Sequence, residues 1–272
     1  MYIRILGLSM FLILCPSNNY LPVLAQEPLS VQAVKPLVPT AVAEADSLFF
    51  LMDPLASFRR LAARVEIAPN DHKAQWRAAR AGLVLGVIEE DRERTDRWLR
   101  IAVHHALKAV DLEPNDLDAM AWLAATKGRL AQDIAGPGEQ IRLAQDVWDL
   151  THEILAIDSG HALANGILGK LNQEVRSLSG FERFIAGTFM GGGDPIKHSS
   201  WDDSEHYLLR ALESESATVL FYLDLGDTYR LQGKVDLART TYEKGLTVPD
   251  WYPVDPKFKG QIIERIEQLD HY

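Results

Sequence analysis

A short turn motif recurs along this chain at a nearly constant interval. Pro69-Asn70-Asp71 returns as Pro114-Asn115-Asp116 45 residues later, and Asp158-Ser159-Gly160 takes the equivalent place 44 residues further on. Each closes one long stretch of helical apolar spacing and opens the next. Trp76 and Trp122 fall early in the stretches that follow. Such a period confines the fold sharply. Each unit carries an apolar face that it can bury only against its neighbour, so the units must stack. From Ala41 onward the spacing stays helical, and no run alternates with the period of two that a strand requires. The expected architecture is all-α: a right-handed α-solenoid of about four helical pairs.

Local signals divide the chain into twelve predicted helices, from 41–51 to 256–269. Asp53-Pro54 and Asp255-Pro256 each place a capping residue before a proline at the first helical position. Ser179 with Glu182, and Ser200 with Asp203, have the spacing of capping boxes, in which hydroxyl and carboxylate satisfy each other's orphan N–H groups. Asp158 and Ser159 read as cap residues. Phe181, Phe184, Ile185 and Phe189 form an apolar stripe on a short predicted helix, 180–190, which Gly191-Gly192-Gly193 ends. That helix reads as a plug between repeats, with a peptide-binding lid as the alternative.

The last unit shows which kind of repeat this is. Tyr222, Leu225, Gly226, Tyr229, Ala238, Tyr242 and Gly245 stand at relative positions 4, 7, 8, 11, 20, 24 and 27. This resembles the tetratricopeptide repeat, where small residues let paired helices approach and aromatic ones fill the gaps between repeats. Ala102, Ala106, Ala109 and Pro114 keep the second half of the pattern in an earlier, longer unit. A narrower resemblance runs from His161 to Leu269. Its residues are Leu168-Gly169-Lys170-Leu171, Glu174-Val175, Leu178-Ser179, Phe181-Glu182-Arg183, Ala186, Phe189 and the triple glycine. The unit from Tyr222 to Tyr242 and the closing Val248-Pro249, Asp255 and Lys257 follow in order. This segment resembles the regulator of microtubule dynamics family, including its bacterial members. The resemblance implies a tetratricopeptide scaffold with one helical insertion and supplies no catalytic residues. Gly169, Glu174, Glu182, Arg183 and Gly226 are its structural residues, and Glu174 is expected to pair with Arg183 across the turn.

The start of the chain reads differently. Arg4, the apolar run Ile5–Leu14 and the small residues of Val23-Leu24-Ala25 have the layout of a secretory signal peptide cut after Ala25. The alternatives are an uncleaved anchor and, through Cys15, a lipoprotein. Gln26 to Thr40, with Pro28, Pro36 and Pro39, reads as a tether, and 41–272 as the repeat domain. Periplasmic or secreted localisation follows. Cleavage would remove Cys15, the one cysteine, and with it disulfides, a thiol nucleophile and Cys-ligated metal. It would leave 27 basic and 38 acidic side chains, a net charge of −11. An acidic chain with no basic run is a poor partner for nucleic acid or an anionic membrane.

Signatures of chemistry are missing from the sequence. Gly191-Gly192-Gly193-Asp194 lacks the Lys-Ser/Thr of a phosphate loop, and there is no G-x-S-x-G elbow. Asp158, Ser159 and His161 are near neighbours in one turn, whereas a triad is assembled from separate elements. His104 and His105 point to different faces. Asp202 and His206 have helical spacing but no third ligand. No catalytic residue, metal or cofactor is assigned. The expected function is a scaffold that holds a protein or peptide in the concave face built by the first helix of each pair. Arg77, Arg80, Lys127, Asn172, Arg176, Asp227 and Arg230 are the candidate lining. A basic groove of this kind suits an acidic segment or a free carboxylate. The alternatives are a small-ligand carrier, an unrecognised envelope hydrolase with paired carboxylates and, without export, a microtubule-associated regulator. Trp201 and Trp251 flank the last repeat and are the tryptophans best placed for exposed contacts.

Overall fold

The computed structural model describes residues 40–189, 191 and 193–270. The predicted signal segment 1–25 and the tether up to residue 39 lie outside the described residues. Among the described residues all regular structure is helical. The first pair is α1 (Ala41–Phe50) and α2 (Pro54–Ile67), and the second α3 (His72–Ile88) and α4 (Arg92–Leu112). The third is α5 (Leu117–Asp133) and α6 (Pro137–Ile157). In the fourth, α7 (Ala162–Ser177) packs on α10 (Trp201–Ser214), and α8 (Gly180–Phe189) and α9 (Gly193–His198) are inserted between them. The fifth is α11 (Val219–Leu231) and α12 (Val235–Thr247), and α13 (Asp255–Leu269) covers its open side. Among the described residues the stack thus holds five pairs and a final helix rather than about four pairs. The additional pair is α1–α2, whose sequence carries no repeat signature.

The recurrent turn is a capping device. Asp71 Oδ1 accepts the N–H of Ala74 at 3.1 Å, and Asp116 Oδ1 that of Ala119 at 3.1 Å. In the third turn the N-cap is His161, whose Nδ1 accepts the N–H of Ala164 at 3.3 Å. The N-caps 71, 116 and 161 therefore keep an even spacing. Asp158 ends α6 and turns the chain by accepting the Gly160 N–H at 2.9 Å. Ser159, read as a cap, caps nothing with its side chain and instead offers its carbonyl to Asn165.

Small residues set the helix spacing within pairs. A Cβ on Gly169 would sit 2.7 Å from Leu208 Cγ, and one on Gly226 would run into the Tyr242 ring. The first helices α3, α5, α7 and α11 are buried around most of their circumference, whereas second helices keep one face in water. The capping box of Ser179 and Glu182 is present in both directions, at 2.7 and 3.2 Å. That of Ser200 is not reciprocal. Asp203 binds the Ser200 hydroxyl at 2.6 Å, and the Ser200 N–H goes to Asn172 Oδ1 at 3.0 Å. The triple glycine does more than end a helix. Gly191 and Gly193 have φ of 67° and 59°, and the chain enters α9, a helix absent from the twelve expected. Gln145 holds α9 by accepting the Asp194 N–H at 2.9 Å. The side chains of Phe181, Phe184 and Phe189 lie outside the described residues, so the expected stripe is represented by half-buried Ile185.

The stack also closes on itself. Phe49, Ala81, Val84 and Val87 from its beginning share one core with Val219, Leu223, Val248, Val254, Phe258 and Ile262 from its end. Tyr252 meets the Phe49 ring edge-on at 6.2 Å, and Lys257 Nζ donates to the Val87 carbonyl. No helix among the described residues is long and apolar enough to cross a membrane.

Candidate functional site

The repeat register fixes which side chains look inward. Gly226 and Gly169 make equivalent close approaches, so Lys170 occupies in its repeat the place of Asp227 in the last one. Two turns of the 45-residue period earlier stand Ala125 and Arg80. Arg80, Ala125, Lys170 and Asp227 thus form one column along the first helices.

At the beginning of the column, Asp46 of α1 accepts from Arg77 Nε at 2.7 Å and from Arg80 at 2.6 Å. The Arg77 guanidinium lies 3.9 Å over Trp76 and that of Arg80 4.0 Å over Phe49. Burial pulls the Arg80 guanidinium below its usual range, against the opposing pull of Asp46. Both arginines are therefore bound to α1, and Arg80 lies against Phe49 of the closing core. In the middle, Lys127 binds Asp146 of its own pair at 2.6 Å.

The far end is a denser network between α7, α11 and α13. Lys170 Nζ reaches Gln173 Oε1 at 2.7 Å, Glu174 at 3.0 Å and Asp224 at 3.1 Å. Gln173 donates to the Asp224 carbonyl at 2.7 Å and to Thr228 Oγ1 at 2.8 Å. Asp227 Oδ1 gathers Tyr242 at 2.8 Å, Arg265 at 3.0 Å and Arg230 at 3.1 Å. Burial raises the Asp224 carboxyl to about 6, with Lys170 opposing the shift. For Lys170, burial acts downward and is overcome by Asp224 and Glu174, which hold the ammonium charged well above the ordinary range. Burial, then Asp227, raises the Tyr242 phenol.

The predicted lining residues divide accordingly. Arg77 and Arg80 come together on Asp46, and Asp227 and Arg230 in the far network. Lys127 stands apart. Asn172 is buried, donating to the Leu168 carbonyl at 2.8 Å while its oxygen anchors Ser200. Arg176 is half-buried, and among the described residues its guanidinium joins no ion pair. The expected pairing of Glu174 with Arg183 does not form. Glu174 is taken by Lys170 and by Gln132 at 3.1 Å, and Arg183 donates to the Arg176 carbonyl at 3.1 Å and to that of Leu178. Sequence reasoning missed Lys170, Asp224 and Arg265 as members of this face. The register that placed Asp227 also places Lys170, one residue after Gly169, whereas Arg265 lies outside any repeat. Among the described residues no three His, Cys, Asp or Glu converge to hold a metal ion. Asp202 and His206 stay on the first turns of α10.

Comparison with known proteins fits this geometry. A family described as regulator of microtubule dynamics protein 1-3 matches residues 41–270. A thermophilic TPR protein of Thermus thermophilus has a similar solved structure. The TM-score is 0.58 at 16% identity, over 84% of this chain and 97% of that one. No curated protein sequence matches the chain.

Proposed function

The chain belongs to the regulator of microtubule dynamics protein 1-3 family, and on that footing we propose that it is a non-catalytic scaffold that docks a protein or peptide partner. The docking face is the part of the first-helix column around Lys170 that stays open to water. The observation that carries this reading is the set of partly exposed charges there: Lys170, Glu174, Arg230 and Arg265, with half-buried Arg176 further along the same helix as Lys170. Lys170, Arg230 and Arg265 face the carboxylates of Glu174, Asp224 and Asp227. Most are already fixed by neighbours, so a ligand would meet donors whose ordering entropy is largely spent in folding. An acidic segment or a free carboxylate is the chemistry that suits such a face.

Export through the 1–25 segment belongs to this proposal, as does the expectation that nucleic acid is not the partner. A chain retained in the cytoplasm would instead favour the microtubule-associated reading.

The test starts with affinity capture on the intact chain and identification of what binds. The purified partner is then titrated against Arg176→Glu and Glu174→Lys, which change half-exposed charges and leave the Asp46 and Asp227 networks intact. Arg176→Glu is expected to weaken binding about tenfold or more, the cost of reversing one contact charge. Glu174→Lys should strengthen binding of an acidic partner. Affinities within twofold of wild type for both variants would remove this face from the reading.

A further inference from the structure

A second surface stands apart from the charged face. Phe50, Leu51, Met52 and Leu55, at and just after the end of α1, are exposed to 48%, 76%, 41% and 36%, and Trp251 to 55%. Phe50 meets the Tyr252 ring edge-on at 6.2 Å, which joins the α1–α2 turn to the segment before α13. The patch therefore lies over the seam where the stack closes. We propose that it docks a cationic amphipathic segment of another protein.

The backbone gives an independent sign that these side chains are kept for contact. The end of α1 is a Schellman turn: Met52 donates its N–H to the Phe49 carbonyl at 3.1 Å, and Asp53 to that of Leu48 at 3.0 Å. Met52 sits at φ 66°, the position such turns give to glycine. A long side chain there carries backbone strain that glycine would not. That cost is only partly offset by burial in the isolated fold, since Met52 stays 41% exposed. On the other side, buried Asp255 accepts the N–H groups of Trp251 at 2.9 Å and Tyr252 at 2.8 Å. Trp251 is thus presented by a pinned turn rather than a loose one. Aromatic, aliphatic and methionine side chains on a fixed frame suit the apolar face of an amphipathic segment.

Charge selects the occupant. Asp53, Asp250 and Glu215 border the patch. Of the neighbouring bases, Lys259 is bound to Asp250 at 2.6 Å and Lys257 to the Val87 carbonyl. Arg59, one turn past Leu55, is the remaining exposed base there. The whole chain carries a net charge of −10. That field steers cationic segments in, and it repels both a second copy and an anionic bilayer.

The test uses the intact chain and two synthetic amphipathic helices, one of leucine and lysine, the other of leucine and glutamate. Calorimetry should show binding of the lysine peptide alone. Met52→Ser and Trp251→Ser should each weaken it about tenfold, the scale of an anchor side chain. Ile67→Ser, at an exposed apolar residue on another turn, and Arg176→Glu should leave it unchanged. That separates this surface from the charged face. Met52→Gly is the sharpest variant: it should weaken the peptide while raising the melting temperature by about 2–4 °C through relieved strain. Equal binding of the glutamate peptide would overturn the proposal, as would loss on Ile67→Ser or a lower melting temperature for Met52→Gly. Self-association, or adhesion to anionic vesicles, that Trp251→Ser abolishes would do the same by giving the patch another occupant.

Discussion

Asp224 carries an unusual demand for a side chain in a packed helix pair. It is buried between α7 and α11, and the Lys170 ammonium only partly offsets the loss of water. Its folded-state carboxyl titrates at about 6, above the ordinary 3.8. Between those values the folded chain binds more proton than the unfolded one. Asp224 therefore contributes stability that is present below the ordinary value and is lost as pH rises through about 6. The groups facing it are Lys170, Glu174, Gln173, Asp227 and Thr228. Half-buried His105 acts in the other sense. Burial, then His104, holds it down to about 4, so its contribution fades as pH falls. A single stability profile mixes the two, and the difference between wild type and Asp224→Asn isolates one. In urea unfolding at pH 4.5 and pH 7, the stability of wild type relative to Asp224→Asn should fall from the lower pH to the higher. Parallel profiles would mean that the carboxyl titrates in its ordinary range.

Turns are the elements that the sequence made most legible, and they show where legibility stopped. Asp71 and Asp116 could be read because a side-chain acceptor before an apolar helix has one common use. The third turn carries the same geometry in different residues. Its cap is a histidine, and the eye goes to Asp158, which serves the preceding helix instead. The inserted α9 was hidden for another reason, since six residues beside glycines give no period to detect. Lys170 has its register from Gly169, but a lysine after a glycine in a first helix carries no mark of the buried acid, Asp224, that it meets 54 residues later. The cap itself can be measured. Asp116→Ala removes the acceptor of the Ala119 N–H and should cost about 1 kcal/mol. Asp116 also lies 3.3 Å from His72 Nε2, so charge must be separated from capping. Asp116→Asn keeps the acceptor and drops the charge, and it should retain most of the stability. Equal losses for both would assign the effect to the His72 contact.

At the scale of the whole molecule, the closure changes what kind of object the stack is. An open solenoid is nearly one-dimensional: each unit touches only its neighbours, and its ends can unfold independently. Here Phe49 and Val87 share a core with Val254 and Phe258, so the first and last units are also neighbours. The sequence could not announce this. The repeat pattern specifies contacts between adjacent units, whereas the closing contacts join segments some two hundred residues apart in residues outside the motif. Arg77 and Arg80, expected in the groove lining, are bound to Asp46, and Arg80 lies over Phe49 of the seam. Closure should make the two ends unfold together. Phe49→Ala empties a fully buried ring site and should cost about 3–5 kcal/mol. In hydrogen exchange the lost protection should appear in α12 and α13 as well as in α1 to α3. The middle pair, α5 and α6, should keep the most. Protection lost from α1 and α2 alone would show that the seam is a passive contact and that the stack unfolds from its ends.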